Sequence, residues 1–174
     1  MSDYSEGGFD WPLAKFSFWV DVGGFDGRVS FQTMDGLGAS VSKMEFRDGN
    51  SPKFYKQSRP TLTSYDPVTL KKGMFPGDGT LFDWFSNVSS GAMFSDMRTV
   101  TITLCELSAG AQVDVFSWTL EKAYVTKITP SSLDAESDTE VAVEEVELTY
   151  QSFSMGAGGL LSSILGAISG SVGF

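Results

Sequence analysis

Residues 15–34 read KFSFWVDV-GGFDG-RVSFQTM, and this stretch decides the fold class. Apolar side chains occupy every second position from Phe16 to Val22, which is the period of a β-strand. A glycine-rich turn at 23–27 is followed by a second alternating run at 28–34. The two runs therefore predict a β-hairpin, which ends at Asp35-Gly36-Leu37-Gly38.

Further extended runs follow along the chain. They are predicted at 41–46, 68–70, 98–107, 112–128 and 140–153, with a second hairpin turn at 109–110. A change of apolar parity inside the fourth of these runs predicts a β-bulge near Val115. In the last run, Val146, Leu148 and Tyr150 lie on one side. These patterns predict a mainly β chain.

One segment has the period of a helix. Its apolar residues share one helical face: Leu81, Trp84, Phe85 and Val88. Thr80 with Asp83 resembles a capping box, which predicts that the helix begins there. The sequence Ser89-Ser90-Gly91 is expected to end it.

The segment 47–67 has two internal prolines, many polar residues and little periodicity, which predicts a long loop. A loop of this length in a compact domain is usually functional or ordered by a partner. We divide the chain into a main domain at 1–155 and a Gly/Ser-rich apolar extension at 156–174. The extension carries a helical stripe that requires burial: Leu160, Leu161, Ile164, Leu165 and Ile168. Packing on a neighbouring subunit, a disordered tail and membrane contact are the alternatives.

The composition excludes several classes of protein. Of 174 residues, 41% are hydrophobic and 13% aromatic, so a folded core is expected. A net charge of −10 disfavours binding to nucleic acid or anionic membranes. The single cysteine, Cys105, cannot form an internal disulfide and is predicted to be a buried thiol. The acidic N-terminus has no secretory signal, which predicts synthesis in the cytoplasm, and 155–174 is too rich in Gly and Ser for a good membrane span.

Catalytic patterns are weak throughout the sequence. The chain has no histidine, which removes Ser/His and Cys/His nucleophile systems and histidine metal sites. Glu144, Glu145 and Glu147 are clustered, but an extended chain points Glu144 away from the other two. The acidic run 134–140 lacks the glycine and the spaced glutamate of a calcium loop. We therefore expect no enzyme activity, cofactor or metal.

Several segments, in this order, resemble the inner tail tube family of contractile phages and extracellular contractile injection systems. They cover about residues 14–153 and are FWVDV at 18–22, FQTMDGL at 31–37, FRDG at 46–49, VTLKKG at 68–73, DW at 83–84 and WTLEKAY at 118–124. The resemblance implies a β-sandwich or barrel-like subunit with one short helix. It also implies hexameric rings that stack into a hollow tube, a conduit for cargo.

The resemblance further implies partners and a place of assembly. Other copies of the chain would be the main partner, with sheath, baseplate and cap proteins of the same particle. Assembly would take place in the bacterial cytoplasm. The segment 47–67 would be an arm that reaches an adjacent subunit or ring. The residues predicted for the ring or stacking interface are Arg47, Asp48, Lys53, Lys56, Arg59, Lys71 and Lys72.

Two alternatives belong to other classes. The first is a β-sandwich module that binds carbohydrate or another ligand through exposed aromatic rings. Its candidate residues are Trp11, Trp19, Phe54 and Tyr55. The second is an acid-dependent hydrolase of an unrecognised type. A structural subunit remains the leading hypothesis because the order of the segments favours it.

Overall fold

The computed structural model describes residues 15, 17–50, 52, 54–92, 95–108, 111–133 and 141–157. Within these residues the strands are β1 Phe18–Val22, β2 Arg28–Val29, β3 Thr33–Asp35, β4 Gly38–Phe46, β5 Gln57–Asp66, β6 Val68–Gly73, β7 Arg98–Ser108, β8 Ala111–Thr129, β9 Val143–Thr149 and β10 Ser152–Ala157. The α-helix, α1, spans Thr80–Asn87. The predicted mainly β fold with one short α-helix is confirmed.

The chain forms two compact units. Of the described residues, those within 1–31, 98–120 and 153–174 form the first unit, and those within 32–97 and 121–152 form the second. Strand β8 contributes its first part to one unit and its second part to the other. β10 ends at Ala157, two residues past the end of the main domain that the sequence predicts.

The first unit is built on the strand order β2-β1-β7-β8, and β10 also pairs with β8. β1 pairs antiparallel with β2, with Val20 opposite Val29, so the first predicted hairpin is confirmed. On its other side β1 pairs with β7, where Val20 lies opposite Ile102. Val20, Val22 and Ile102 are almost completely buried, which confirms the alternation that the sequence shows.

The second predicted strand, 28–34, is wrong as a single element. β2 ends at Val29, and Thr33–Asp35 is a separate strand that pairs with β6 in the second unit. Alternation continues through this segment, but alternation does not identify the pairing partner. The backbone N–H of Gln32 donates to the carbonyl of Lys71 at 2.7 Å, which directs the chain to its new neighbour.

The second unit has the strand order β8-β9-β6-β3. Leu70 on β6 lies opposite Val146 on β9, and Val125 on β8 lies opposite Leu148. These four side chains are at most 1% exposed, so they form the centre of this unit's core.

The final strand predicted at 140–153 is two strands. β9 ends at Thr149, and the backbone N–H of Gln151 donates to the carbonyl of Glu121 at 3.0 Å before β10 begins. The predicted buried face of Val146, Leu148 and Tyr150 is confirmed. Opposite β9, the register of β8 shifts between Val125 and Lys127. The bulge predicted near Val115 stays a prediction.

Helix α1 buries Leu81 and Trp84, and Val88 is buried where the helix widens into a π-helical segment at Val88–Ala92. The predicted capping box is wrong. Gly79 is the N-cap residue, and the Thr80 hydroxyl donates to the Asp78 carboxylate at 2.8 Å. Thr80 is already inside the first turn, so its side chain does not reach the N–H groups that a cap residue satisfies.

The long loop predicted at 47–67 is also wrong over much of its length, because 57–66 is strand β5. It pairs antiparallel with β4, and the register shifts between Val41 and Lys43, which lies opposite Pro60. Proline is tolerated at such a bulge because no backbone donor is required there. The Thr61 hydroxyl donates to the Ser42 carbonyl at 3.0 Å in the same place.

Candidate assembly surfaces

We call residues 38–66 the arm; it consists of β4, β5 and their connection. Every residue of the two strands except Gly38 and Tyr65 is exposed. A two-stranded hairpin alone is only marginally stable in water. Its large apolar side chains are nevertheless mostly in solvent: Val41, Met44, Phe46, Phe54, Tyr55 and Leu62. The arm therefore has the surface of an element that is covered by a partner.

The pairing of the arm strands determines which side chains share a face. Met44 lies opposite Arg59, and Phe46 lies opposite Gln57 two positions further along. Residues two apart on a strand point to the same side. We call Met44, Phe46 and Arg59 the arm face, because they place two apolar side chains beside one guanidinium.

The root of the arm is held in the second unit by an aromatic pair. The Tyr150 hydroxyl donates to the carbonyl of Gly38 at 3.3 Å. The rings of Tyr65 and Tyr150 have centroids 5.8 Å apart and are tilted by 54°. Gly36 has a φ of +91°, and a Cβ there would lie 2.5 Å from the Pro67 carbonyl oxygen, so glycine is required where the chain enters the arm.

Charged groups near the arm's tip form a small cluster. The Glu45 carboxylate accepts from Lys43 at 2.8 Å and from Lys56 at 3.3 Å, and these ammonium groups hold its pKa below the ordinary value. The Asp48 carboxylate accepts from the backbone N–H of Asn50 at 3.2 Å, which shapes the connection between the strands.

The seven predicted interface residues fall into three groups. Five belong to the arm, of which Arg47, Asp48, Lys56 and Arg59 are exposed and Lys53 lies outside the described residues. Lys71 is half-buried and forms an ion pair with Glu145 at 3.2 Å. The C-terminal stripe at 160–168 also lies outside the described residues.

Lys72 is the third case, because its side chain is buried and forms an ion pair with Asp78. This pairing and the Thr80 hydroxyl hold the pKa of Asp78 below its ordinary value. Glu144 lies opposite Lys72 in the sheet, and burial raises the pKa of its carboxyl. Since Lys72 is already paired and covered inside the subunit, we do not retain it as an interface residue.

Four further exposed residues lie on the turn after β6 and the start of α1, and the sequence did not predict them as contact residues. Met74 and Phe75, on the turn after β6, are 47% and 65% exposed, and Phe82 on α1 is 58% exposed. Asp83, the next residue on the helix, is also exposed. We call these four residues the turn patch. The only sequence signal was that Phe82 falls outside the predicted buried face of the helix.

The ligand-binding alternative has little support in the geometry. A cavity of about 480 Å³ in the second unit is lined by residues of 32, 71, 129–133, 141–143 and 145, none of them aromatic. Trp19 has the Arg28 guanidinium 3.1 Å from its ring centroid, so this face of the ring is covered. Phe54 and Tyr55 are exposed near the arm's tip, and Trp11 lies outside the described residues.

Cys105 is buried, as predicted, and burial raises the pKa of its thiol. The Trp19 indole N–H donates to its sulfur at 2.6 Å. In the described part of the chain, no group of His, Cys, Asp or Glu residues could hold a metal ion. No helix among those residues is long and apolar enough to cross a membrane.

The model of the T4-like virus tail tube protein gp19 family matches residues 14–154 of the chain. This is most of the sequence and corresponds to the segment that carries the resemblance described above. The chain therefore belongs to this tail tube protein family, whose members are structural.

Solved structures agree with this assignment. A chain in the extended sheath-tube complex of PVC, an extracellular contractile injection system, is 28% identical, with a TM-score of 0.74 over 90% of this chain and 99% of the other. A chain in the extended PVC sheath/tube terminator is 30% identical, with a TM-score of 0.71 and 85% and 99% coverage. A chain in the anti-feeding prophage cap is 25% identical, with a TM-score of 0.71 and 86% and 93% coverage.

The same fold also occurs in a protein of lower sequence identity. The Hcp protein, at 12% identity, shares it with a TM-score of 0.51 over 80% of this chain and 98% of the other. No curated protein sequence matches the chain.

Proposed function

We propose that copies of this chain close side by side into hexameric rings, which stack into the inner tube of a contractile phage tail or contractile injection system. The similarity to the chain of the PVC sheath-tube complex carries the proposal, because it spans 90% of this chain and 99% of that one. Such nearly complete coverage favours one role for the whole fold.

The arm supplies the physical reason for assembly. Its exposed apolar residues include Met44, Phe46 and Leu62, and burial of each such side chain contributes about 1.5–3 kcal/mol. The arm's two strands also have open edges, which a neighbouring subunit in a closed ring would protect. The proposed contact residues of the ring or stack are Arg47, Asp48, Lys53, Lys56, Arg59 and Lys71.

The other proposed partners are the sheath, cap and baseplate of the same particle. Two of the similar structures are named for a sheath with its tube or terminator, and a third is named for a tube-terminating cap. A tube inside such a particle would contact the sheath along its length and the cap at its end. We place its synthesis and assembly in the bacterial cytoplasm.

The proposed role is structural and not enzymatic. The chain has no histidine, and its family consists of structural tube proteins. The tube would act as a conduit whose wall is the folded subunit. The apolar stripe at 160–168 is proposed to pack on a neighbouring subunit, since six exposed copies per ring would promote aggregation.

Native mass spectrometry and sedimentation velocity of the purified chain test the proposal. Over a series of protein and salt concentrations we expect a species of six subunits and larger multiples of it. A monomer at every concentration and salt would contradict the proposal. Deleting residues 158–174 tests the tail separately, because an assembly contact predicts shorter or fewer tubes from the deletion variant.

A further inference from the structure

The turn patch is held in place by the fold. The turn between β6 and α1 is fastened by the ion pair of the buried Lys72 with Asp78. The backbone N–H of Met74 donates to the carbonyl of Ala142 at 2.9 Å, and that of Asp78 donates to the carbonyl of Phe75 at 3.2 Å. Because the turn is anchored on both sides, Phe75 is presented to solvent by a fixed backbone.

The arm face has the complementary composition. It combines Met44 and Phe46 with the positive charge of Arg59, whereas the turn patch combines three apolar side chains with the negative charge of Asp83. Asp83 lies in the first turn of α1, where a carboxylate is favoured. Each set of residues therefore combines exposed apolar side chains with one charge, and the two charges are opposite.

The distribution of charge along the chain favours a second copy as the occupant. The arm, 38–66, carries five basic and three acidic residues, whereas the rest of the chain carries seven basic and nineteen acidic residues. A positively charged arm is attracted to the acidic body of an identical subunit. Contact between an arm and a body also brings opposite charges together in a protein whose net charge is −10.

We infer that the arm face of one subunit docks on the turn patch of another, with Arg59 of one copy beside Asp83 of the next. This inference rests on the proposed function and names its contact. Met44 and Phe46 would pack against Phe75 and Phe82 of the neighbour. The docking is head-to-tail, since each copy uses a different surface on each side, and such contacts build rings or continuing stacks.

A charge exchange tests the inference. R59E and D83K should each raise the protein concentration needed for assembly by about tenfold or more, because like charges then face each other across the contact. The double variant R59E/D83K restores an opposite pair and should assemble near the wild-type concentration. K127E and D26K are the matched controls, since they change the net charge equally at exposed positions that belong to neither surface.

A cross-link gives a second measurement that does not depend on the strength of assembly. A chain with both R59C and D83C should form a ladder of covalent oligomers when assembled protein is oxidised by oxygen with a copper catalyst. Each single variant should lack that ladder. The native Cys105 is buried, so it does not compete. Circular dichroism of each variant confirms that the fold is retained.

The outcomes separate this inference from the proposed function. Wild-type protein that never assembles overturns the proposed function. If the wild-type protein assembles, but R59E/D83K does not rescue assembly and the double cysteine variant gives no ladder, only the docking of the arm face on the turn patch is overturned. Rescue together with a ladder establishes the contact.

Discussion

The Tyr150 hydroxyl donates to the carbonyl of Gly38 at 3.3 Å and so joins the residue after β9 to the first residue of the arm. The Tyr150 ring also packs against Tyr65, near the end of the arm's second strand. A single buried side chain therefore contacts both strands at their root. This contact connects the core of the second unit to the surface that we propose for assembly.

Two substitutions of Tyr150 should lower the free energy of unfolding by different amounts. Y150F loses one hydrogen bond, which costs about 1 kcal/mol of the free energy of unfolding. Y150A also loses the packing on Tyr65 and leaves a cavity, so it should cost about 3–5 kcal/mol. Urea unfolding followed by fluorescence measures both losses. Equal stability of Y150A and Y150F would show that the ring packing contributes nothing.

The Lys72–Asp78 ion pair should be important for folding, because the Lys72 side chain is only 6% exposed. D78N leaves this ammonium without its charged partner, and breaking a buried pair costs about 3–5 kcal/mol, with the lower end expected because Asp78 is partly exposed. The double variant K72M/D78N removes both charges and should recover part of that loss. Thermal unfolding of D78N, of K72M/D78N and of the exposed control D26N measures these relative stabilities. A double variant less stable than D78N would contradict this prediction.

Glu144 should contribute to the pH dependence of the free energy of unfolding. Burial raises the pKa of its carboxyl, so the folded state holds this proton more tightly than the unfolded state. The resulting stabilisation is present below the unfolded pKa of about 4.5 and is lost as pH rises through the folded value. Relative to wild type, E144Q should flatten the stability profile just above pH 4.5. Parallel profiles for the two proteins in that range would contradict this assignment.

Asp78 should act in the opposite sense. Its pKa is lowered by Lys72, so its stabilisation is present above the ordinary value of 3.8 and is lost as pH falls through the folded value. The stability of D78N should therefore fall less steeply in acid than that of wild type. Acid unfolding monitored by circular dichroism compares the two proteins, and an unchanged acid limb would count against the pairing.

The Cys105 thiol should be unreactive in the folded protein, because it is buried and burial raises its pKa. Reaction requires the thiolate and access to it. Labelling with a maleimide should be slow in buffer and fast in denaturant. Engineered cysteines at exposed positions such as Asp26 serve as the positive control. Fast labelling of Cys105 under native conditions would contradict the burial.

Ionic strength should affect assembly through the net charge of −10. Subunits of like charge repel, and the screening length falls from about 30 Å at 0.01 M salt to about 8 Å at 0.15 M. Moderate salt should therefore lower the concentration at which rings or tubes form, as measured by light scattering. Tubes that dissolve when moderate salt is added would contradict this expectation.

The elements predicted best from the sequence are those with one buried face and one exposed face. Periodicity identified their buried side chains, because only one side of each element is buried. These are Val20 and Val22 on β1, Val146 and Leu148 on β9, and Leu81 and Trp84 on α1. The arm was missed as a hairpin because nearly all of its strand residues are exposed, so burial imposes no alternation. The family resemblance predicted an arm at 47–67, which includes β5 and the connection but not β4.

The candidate surfaces were predictable only in part. Charge singled out Arg59 and Lys56, which are exposed, but it could not distinguish them from Lys72, whose side chain is buried and pairs with Asp78 six residues further along. The helical period places Phe82 outside the buried face, but Phe75 belongs to no periodic pattern that marks exposure. The position of Phe75 depends on how the turn is anchored, which is a property of the folded unit.

Electron microscopy of the purified wild-type chain tests the central claim most directly. End-on class averages of assembled protein should show a ring of six equivalent densities around an open centre, and side views should show stacked rings. Particles that are only monomers across concentration and salt, or rings with another number of subunits, would contradict the account.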